Sequence, residues 1–231
     1  QDIWKTAEGL ALTYQASGNR SKAISLFEEI HQWRRQHLGS DHPETCRAIE
    51  LMGVACLENK DWEKALPLLE EAYRFRLEWF GPDNLGTLFT QRNLAGCYRA
   101  LGDFDKALAI LEQVLSTNRD KLGSGNPIFL ASMESLALCY LDMGKTDKAY
   151  PLMDECLKGI KANLGPMHRE KWIGMAHLAE CEMKLGRYSR AFVHCEEAWK
   201  GQKEALGVDH PDTIATQGQL GNLYRLLGNP E

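Results

Sequence analysis

Seven cysteines are the residues of this sequence best suited to chemistry, because thiolates bind metals, form disulfides and act as nucleophiles. Cys97, Cys139 and Cys181 are each separated by 42 residues. In a repeat they occupy equivalent positions on helices about 8–10 Å apart, whereas a disulfide needs Cα atoms within about 7 Å. No C-x-x-C pair occurs. The pattern predicts buried structural thiols in a reducing, cytoplasmic compartment. The alternative is redox sensing at Cys46, at a predicted helix start that favours a thiolate.

The other chemical motifs of the sequence are weak. His42, His168 and His210 share one position of the repeat, too far apart along the chain to hold one metal ion, and we interpret them as helix-capping or turn residues. Gly123-Ser124-Gly125 lacks the third glycine and the preceding strand of a phosphate loop. No Ser/His/Asp or Cys/His set can be assembled. The sequence therefore predicts a protein that is not an enzyme and uses no metal or cofactor.

A period of 42 residues organises the whole chain. It is marked by an apolar residue followed by glycine at Leu38-Gly39, Phe80-Gly81, Leu122-Gly123, Leu164-Gly165 and Leu206-Gly207. A second series runs through Gly18, Lys60, Gly102, Gly144, Gly186 and Gly228. Each member except the last is followed five residues later by alanine, at Ala23, Ala65, Ala107, Ala149 and Ala191. Glycine suits a left-handed turn after a helix, and alanine suits a close helix crossing. Lys60 replaces glycine once, and we expect Asn59 to supply that turn.

Helical apolar spacing between these marks predicts one helical hairpin per period, with a first helix of about fifteen residues and a second of about eighteen. Asp41, Asp83 and Asp209 precede the first helices, where Asp, Asn and Pro favour a helix start. The chain divides into hairpins at 1-42, 43-84, 85-126, 127-168 and 169-210, with a partial one at 211-231. We expect a single elongated domain of about five and a half repeats in 1-231, cut from a longer protein.

Composition agrees with a globular helical protein. The chain has 231 residues, 44% hydrophobic and 26% charged, so it can bury a long core. A net charge of -5 argues against binding to nucleic acid or anionic lipid. Leu220, Leu223, Tyr224 and Leu227 lie at core spacing in a last helix that has no second helix after it. We expect this face to be covered by crystal neighbours or self-association, or to fray, with further repeats in the parent protein.

The residues of the period resemble the tetratricopeptide repeat. The matching residues are Leu94-Ala95, Tyr98, Gly102, Phe104 and Ala107, and again Leu136-Ala137, Tyr140, Gly144 and Ala149. The 42-residue period and the L-G-x-D-H-P-x-T connector are similar to the kinesin light chain type of this repeat. The resemblance implies an all-α, right-handed α-solenoid of stacked antiparallel helical hairpins, a TPR superhelix. It implies a protein-protein interaction scaffold that binds a peptide segment in a concave groove.

In this family the first helices line the groove, so the resemblance implies its residues by position. The candidate groove residues are Arg47, Glu50, Leu57, Phe89, Arg92, Asn93, Arg99, Glu134, Leu138, Leu141, Ile173, His177 and Met183. Exposed apolar side chains beside arginines favour a partner with bulky apolar and acidic residues, because arginine binds carboxylates through two hydrogen bonds.

Several alternatives remain open at this point. Glu50, Arg92 and Glu134 share one position in successive repeats and could neutralise one another without a ligand. The groove could also hold a segment of the parent chain. A different class of function is a ligand-sensing or autoregulatory array of a multidomain signalling NTPase or protease. The carboxylate clamp of chaperone-binding members is excluded because Glu8 and Leu12 replace its Lys and Asn. The match to kinesin light chains is incomplete, because the Asn that they favour at one groove position occurs only at Asn93.

Overall fold

The computed structural model describes residues 2–123, 125–163 and 168–228. Eleven α-helices lie in these residues. Six are first helices of a hairpin: α1 (Asp2–Ala16), α3 (Pro43–Glu58), α5 (Leu85–Ala100), α7 (Pro127–Asp142), α9 (Arg169–Lys184) and α11 (Pro211–Leu226). Five are second helices: α2 (Arg20–Leu38), α4 (Trp62–Phe80), α6 (Phe104–Leu122), α8 (Thr146–Asn163) and α10 (Tyr188–Leu206). The all-α solenoid of helical hairpins is confirmed. The Leu164-Gly165 connector lies outside the described residues.

The starts of the first helices are capped by side chains from one position of the period. Nδ1 of His42 accepts a hydrogen bond from the backbone N–H of Glu44 at 3.2 Å. Asn84, Asn126, His168 and His210 make the same contact two residues ahead. The capping role of the three histidines is therefore confirmed. The expected asparagine cap is confirmed at Asn84, whereas Asp41, Asp83 and Asp209 lie one residue before the capping residues.

The hairpin turns follow the glycine series. Gly18, Gly102, Gly144, Gly186 and Gly228 have positive φ angles between 71° and 83°. Lys60 also has a positive φ, of 65°, whereas Asn59 has a φ of −77°. The expectation that Asn59 supplies this turn was wrong. The register of the turn is set by the helix that precedes it, and Lys60 adopts the left-handed conformation that glycine adopts in the other turns.

The described chain groups into two compact units, residues 1–114 and 115–231. In unit 1 (1–114), α3 packs against α2, α4 and α5 around Phe27, Ile30, Leu69 and Cys97. In unit 2 (115–231), α9 packs against α8, α10 and α11, and its core includes Leu141, Met153, Met175 and Leu178. The five alanines of the alanine series are fully buried, as the close helix crossing requires. A single elongated domain stays a prediction.

The last described helix is only partly covered. Leu220 and Leu223 of α11 are buried against Ala179 and Cys195, and Tyr224 packs partly against the same cluster. Leu227 is exposed, as are Ile214 and Leu226. Further repeats and self-association at this helix stay predictions. None of the described helices is both long and apolar enough to cross a membrane.

Candidate functional site

Part of the predicted groove lies on one side of α5 in unit 1. We call this surface the α5 face and define it as Phe89, Arg92, Asn93, Gly96 and Arg99. Its members follow one another at helical spacing, so they lie on one side of α5. Phe89 is exposed, and the guanidinium of Arg92 lies 5.1 Å from the centre of its ring. Arg92 and Arg99 are part-buried. The face combines an aromatic surface with two positive charges.

Asn93 is the most unusual member of this face. Its carbonyl oxygen Oδ1 accepts a hydrogen bond from Nη2 of Arg92 at 3.3 Å. Its amide nitrogen Nδ2 is buried without a hydrogen-bond partner among the described residues, although the residue is 8% exposed. A buried donor without an acceptor carries a desolvation penalty of about 1–3 kcal/mol. A buried donor of this kind calls for an explanation, and an acceptor supplied by a ligand is one.

Leu57 of α3 lies beside the α5 face. It is part-buried, and its Cδ2 would lie 3.5 Å from a Cβ atom added at Gly96. A methyl group therefore fits at Gly96 in ordinary van der Waals contact. Because Gly96 has no side chain, the apolar side chain of Leu57 remains accessible between α3 and α5.

Arg47 of α3 is paired with Glu8 of α1. Nε of Arg47 donates to Oε1 of Glu8 at 2.9 Å, and Nη2 lies 2.9 Å from the same oxygen. The other carboxylate oxygen of Glu8 lies 2.8 Å from Nη2 of Arg34, which is buried. The Arg47 side chain is still 53% exposed. Arg47 thus has a structural partner and one face toward solvent.

Glu50 does not lie on an accessible surface. It is 5% exposed, and Nε of Arg76 in α4 donates to its Oε1 at 3.1 Å. Nη2 of Arg76 donates to Oε2, and the hydroxyl of Thr90 donates to Oε1. Burial of Glu50 between α3, α4 and α5 removes it from the residues that can contact a ligand. Its role is to join the two helices of its hairpin to the next first helix.

The sequence held a signal for these ion pairs that the sequence analysis missed. Glu8 and Glu50 are 42 residues apart, and so are Arg34 and Arg76. Each glutamate precedes its arginine by 26 residues, the distance from a first helix to the facing turn of the second helix. A search for opposite charges at matching positions of the two helices would have found both. Each pair joins a first helix to a second helix, so the residues of the first helices alone do not reveal it.

In unit 2 the predicted residues divide between surface and core. Nδ1 of His177 in α9 lies 2.8 Å from Oε1 of Glu134 in α7, and both side chains are part-buried. Leu138, Ile173 and Met183 are also part-buried. Leu141 is 1% exposed and belongs to the core between α7 and α9, because it lies on the inner side of the last turn of α7. Leu141 therefore has no surface to offer a ligand.

These contacts bear on the alternative that Glu50, Arg92 and Glu134 neutralise one another. The partner we find for Glu50 is Arg76, and the partner we find for Glu134 is His177. The ion pairs of the first helices therefore involve second helices and the neighbouring first helix.

Two pockets lie on the side of the second helices in unit 1. One, of about 350 Å³, is lined by α4, the start of α3 and the connector before it. The other, of about 880 Å³, is lined by α4, α5 and α6, including Tyr73 and Tyr98. The hydroxyl of Tyr98 donates to Glu70 at 2.9 Å, and Lys106 lies over the Tyr98 ring. None of the predicted groove residues lines either pocket.

The seven cysteines are buried and carry free thiols. Burial raises the pKa of the Cys46 thiol to about 12, against the opposing effect of the Arg76 guanidinium. Burial likewise raises the pKa of Cys97, Cys181 and Cys195 to about 12. The thiolate that redox sensing at Cys46 would need is therefore disfavoured, because low dielectric surroundings penalise its charge. Burial of Cys46 therefore argues against that alternative, and the cytoplasmic location stays a prediction.

Comparison with known proteins shows the relationship of the chain. The sequence model of the tetratricopeptide repeat matches residues 5–78, 49–120 and 172–231. No curated protein matches. A solved structure of a Podosopora anserina putative kinesin light chain with nearly identical TPR-like repeats is 25% identical, with a TM-score of 0.65. The match covers 87% of this chain and 95% of that one.

Two structures of lower sequence identity show the same fold. BtubC (BKLC) from P. vanneervenii is 18% identical with a TM-score of 0.64, covering 93% of this chain and 84% of that one. A Rap protein complexed with Competence and Sporulation Factor is 12% identical with a TM-score of 0.79, covering 99% of this chain and 64% of that one. With most of its length matched by the repeat, the chain belongs to the tetratricopeptide repeat family and is an array of the kinesin light chain type.

Proposed function

We propose that this protein-interaction scaffold captures a peptide segment of a partner protein on the α5 face. The observation that carries the proposal is the buried Nδ2 of Asn93, a hydrogen-bond donor without an acceptor beside Arg92 and Phe89. A peptide carbonyl or carboxylate would supply the acceptor. The Rap structure, of the same fold, was solved with a bound factor.

The partner segment is expected to carry acidic and bulky apolar residues. Arg92 and Arg99 lie seven residues apart on one side of α5, so they can contact carboxylates one or two turns apart. Phe89 offers apolar contact beside Arg92, and the accessible part of Leu57 offers it near Gly96, between the two arginines along α5. Arg47 extends the positive surface, although Glu8 offsets part of its charge. In unit 2, Leu138, Ile173, Met183 and the Glu134–His177 pair are further contact candidates.

The proposal is tested by selecting peptides from a random displayed library with the purified chain. The expected sequences combine Asp or Glu with bulky apolar residues. The selected peptide is then titrated, by fluorescence anisotropy, against Asn93→Ala and against Arg92→Glu with Arg99→Glu. Each is expected to weaken binding by about 2 kcal/mol, or about thirtyfold, as loss of a desolvated anchor does.

Two further variants separate binding from stability. Gly96→Met fills the space over Leu57, and it raises helix propensity because glycine is about 1 kcal/mol less favourable inside a helix than most residues. We expect weaker peptide binding with an unchanged or higher melting temperature. Asn59→Ala removes an amide from an exposed turn and should leave binding unchanged. The proposal would be contradicted by selection of basic peptides. It would also be contradicted if Asn93→Ala, the double variant Arg92→Glu with Arg99→Glu, and Gly96→Met all bound the peptide as tightly as the unchanged protein.

A further inference from the structure

A second exposed surface of unit 1 lies at the C-terminal end of α4, away from the α5 face. Trp79 is 57% exposed and Phe80 is 48% exposed. The Trp79 ring stacks on Phe75 with centroids 5.4 Å apart and planes 17° apart, and Phe80 lies 6.5 Å from Phe75. Phe75 is fixed because it packs on the buried cluster of Cys46, Ile49 and Ala72. Exposed aromatic groups on a fixed base are typical of interaction surfaces.

The α4 pocket, of about 350 Å³, lies beside these rings. Its lining residues are Ser40, Asp41, Cys46, Ile49, Glu71, Arg74, Phe75, Glu78 and Trp79. The volume is at the lower end of the range of about 300–1,000 Å³ for small-molecule pockets, enough to receive one long side chain. Glu71, Phe75 and Glu78 recur at helical spacing, so they share a side of α4.

The charge of the α4 pocket favours a cation. Three carboxylates, those of Asp41, Glu71 and Glu78, line it together with a single guanidinium, that of Arg74. A purely apolar partner would leave these carboxylates desolvated, and a phosphate-bearing partner would be repelled. A guanidinium or ammonium is attracted to carboxylates and to the face of a tryptophan ring. The two attractions coincide at Trp79.

The end of α4 adds a second reason. A helix C-terminus carries a partial negative charge, and a basic residue in the last turn offsets it. The last turn of α2 contains Arg35 and His37, and that of α10 contains Lys203, whereas the last turn of α4 contains no basic residue. The C-terminal charge of α4 is thus not offset by its own last turn. A cation seated in the α4 pocket would offset it.

We propose that the α4 pocket is a second docking site, which receives an arginine or lysine side chain of a partner protein flanked by bulky apolar residues. The basic group lies over Trp79 between Glu71 and Glu78, and the flanking apolar residues cover Phe80. This site differs from the α5 face in position and in the sign of the charge that it binds. Binding at the two sites is therefore separable by mutation.

The test uses short synthetic peptides that differ only in a central residue, Arg, Lys, Leu or Glu, between two leucines. Binding to the ¹⁵N-labelled chain is followed by the indole N–H resonance of Trp79, identified by its loss in Trp79→Phe. The Arg and Lys peptides are expected to shift this resonance in a saturable way, at least tenfold more tightly than the Leu and Glu peptides. Glu71→Gln with Glu78→Gln should weaken the Arg peptide at least tenfold.

Two controls make the result specific. Glu58→Gln with Glu63→Gln removes the same charge from exposed positions and should leave Arg-peptide binding unchanged. Asn93→Ala should also leave it unchanged, so failure of the α5 face and failure of the α4 pocket are distinguishable. The proposal is overturned if the Leu peptide binds as tightly as the Arg peptide, or if none shifts Trp79. It is also overturned if sedimentation reveals a dimer that Trp79→Ala dissociates, since the occupant is then a second copy.

Discussion

Arg76 of α4 binds both carboxylate oxygens of Glu50 in α3, with Nε 3.1 Å from Oε1, and the pair is enclosed by the next first helix through Thr90. The side chain of Glu50 is 6% exposed. A buried ion pair contributes little net stability, because desolvation of both charges opposes their attraction. Its removal one partner at a time is nevertheless costly, since the other charge stays buried. The pair therefore joins α3, α4 and α5 in unit 1.

The first prediction concerns this pair. Arg76→Met should lower the free energy of unfolding by about 3–5 kcal/mol, because Glu50 remains buried without its partner. The double variant Glu50→Leu with Arg76→Met should recover most of that loss. Urea denaturation of the three proteins measures the difference. Arg35→Met, at an exposed position of α2, is the matched control and should change stability by no more than about 0.5 kcal/mol. A double variant as unstable as Arg76→Met would contradict this account.

The left-handed conformation of Lys60 leads to a second prediction. A non-glycine residue with positive φ is strained by about 1–2 kcal/mol. Replacement by glycine relieves this strain, but the greater conformational freedom of glycine in the unfolded chain offsets part of the stabilisation. Lys60→Gly should therefore stabilise the protein by about 0.5–1 kcal/mol. Gly102→Lys, at the equivalent turn, should have the opposite effect. The midpoint of urea unfolding reports both, and a destabilised Lys60→Gly variant would show that the side chain of Lys60 stabilises the turn.

The histidine caps give a third prediction. His42→Ala removes the acceptor for the Glu44 N–H and should destabilise the protein by about 1 kcal/mol. His42→Asn should be close to neutral, because Asn84 and Asn126 make the same contact at the equivalent positions. Thermal melting of the two variants distinguishes capping from a role for the imidazole itself. Equal destabilisation by Ala and Asn would show that the ring, rather than the cap, is needed.

Buried thiols make stability depend on alkaline pH, which is the fourth prediction. Burial raises the pKa of Cys195 to about 12, above its ordinary value of about 8.5 in an unfolded chain. Above the ordinary value the unfolded state loses the proton that the folded state keeps, so stability falls as the pH rises toward the folded pKa. Cys195→Ala should therefore lose stability less steeply near pH 10–11, by at most about 1.4 kcal/mol per pH unit. Parallel curves for the two proteins would contradict the assignment.

The period of the sequence predicted the hairpins, the glycine turns and the alanine contacts because each depends on one residue at a fixed position. Glycine and alanine recur at the repeat positions of Gly102 and Ala107, so their roles can be predicted from one position of the repeat at a time. Burial of the groove candidates was harder to predict. Glu50 and Leu141 lie in first helices at positions where the family resemblance implied ligand contact, yet both are buried. Their burial depends on residues of other helices, which lie at other positions of the repeat.

Peptide binding to the α5 face through Asn93 is tested most directly by the side-chain amide resonances of Asn93 in ¹⁵N-labelled protein, assigned by their loss in Asn93→Ala. On saturation with the selected acidic peptide, these resonances should move downfield, because the buried Nδ2 gains an acceptor that the described residues do not supply. Saturable binding of that peptide with the Asn93 resonances unmoved would contradict the claim.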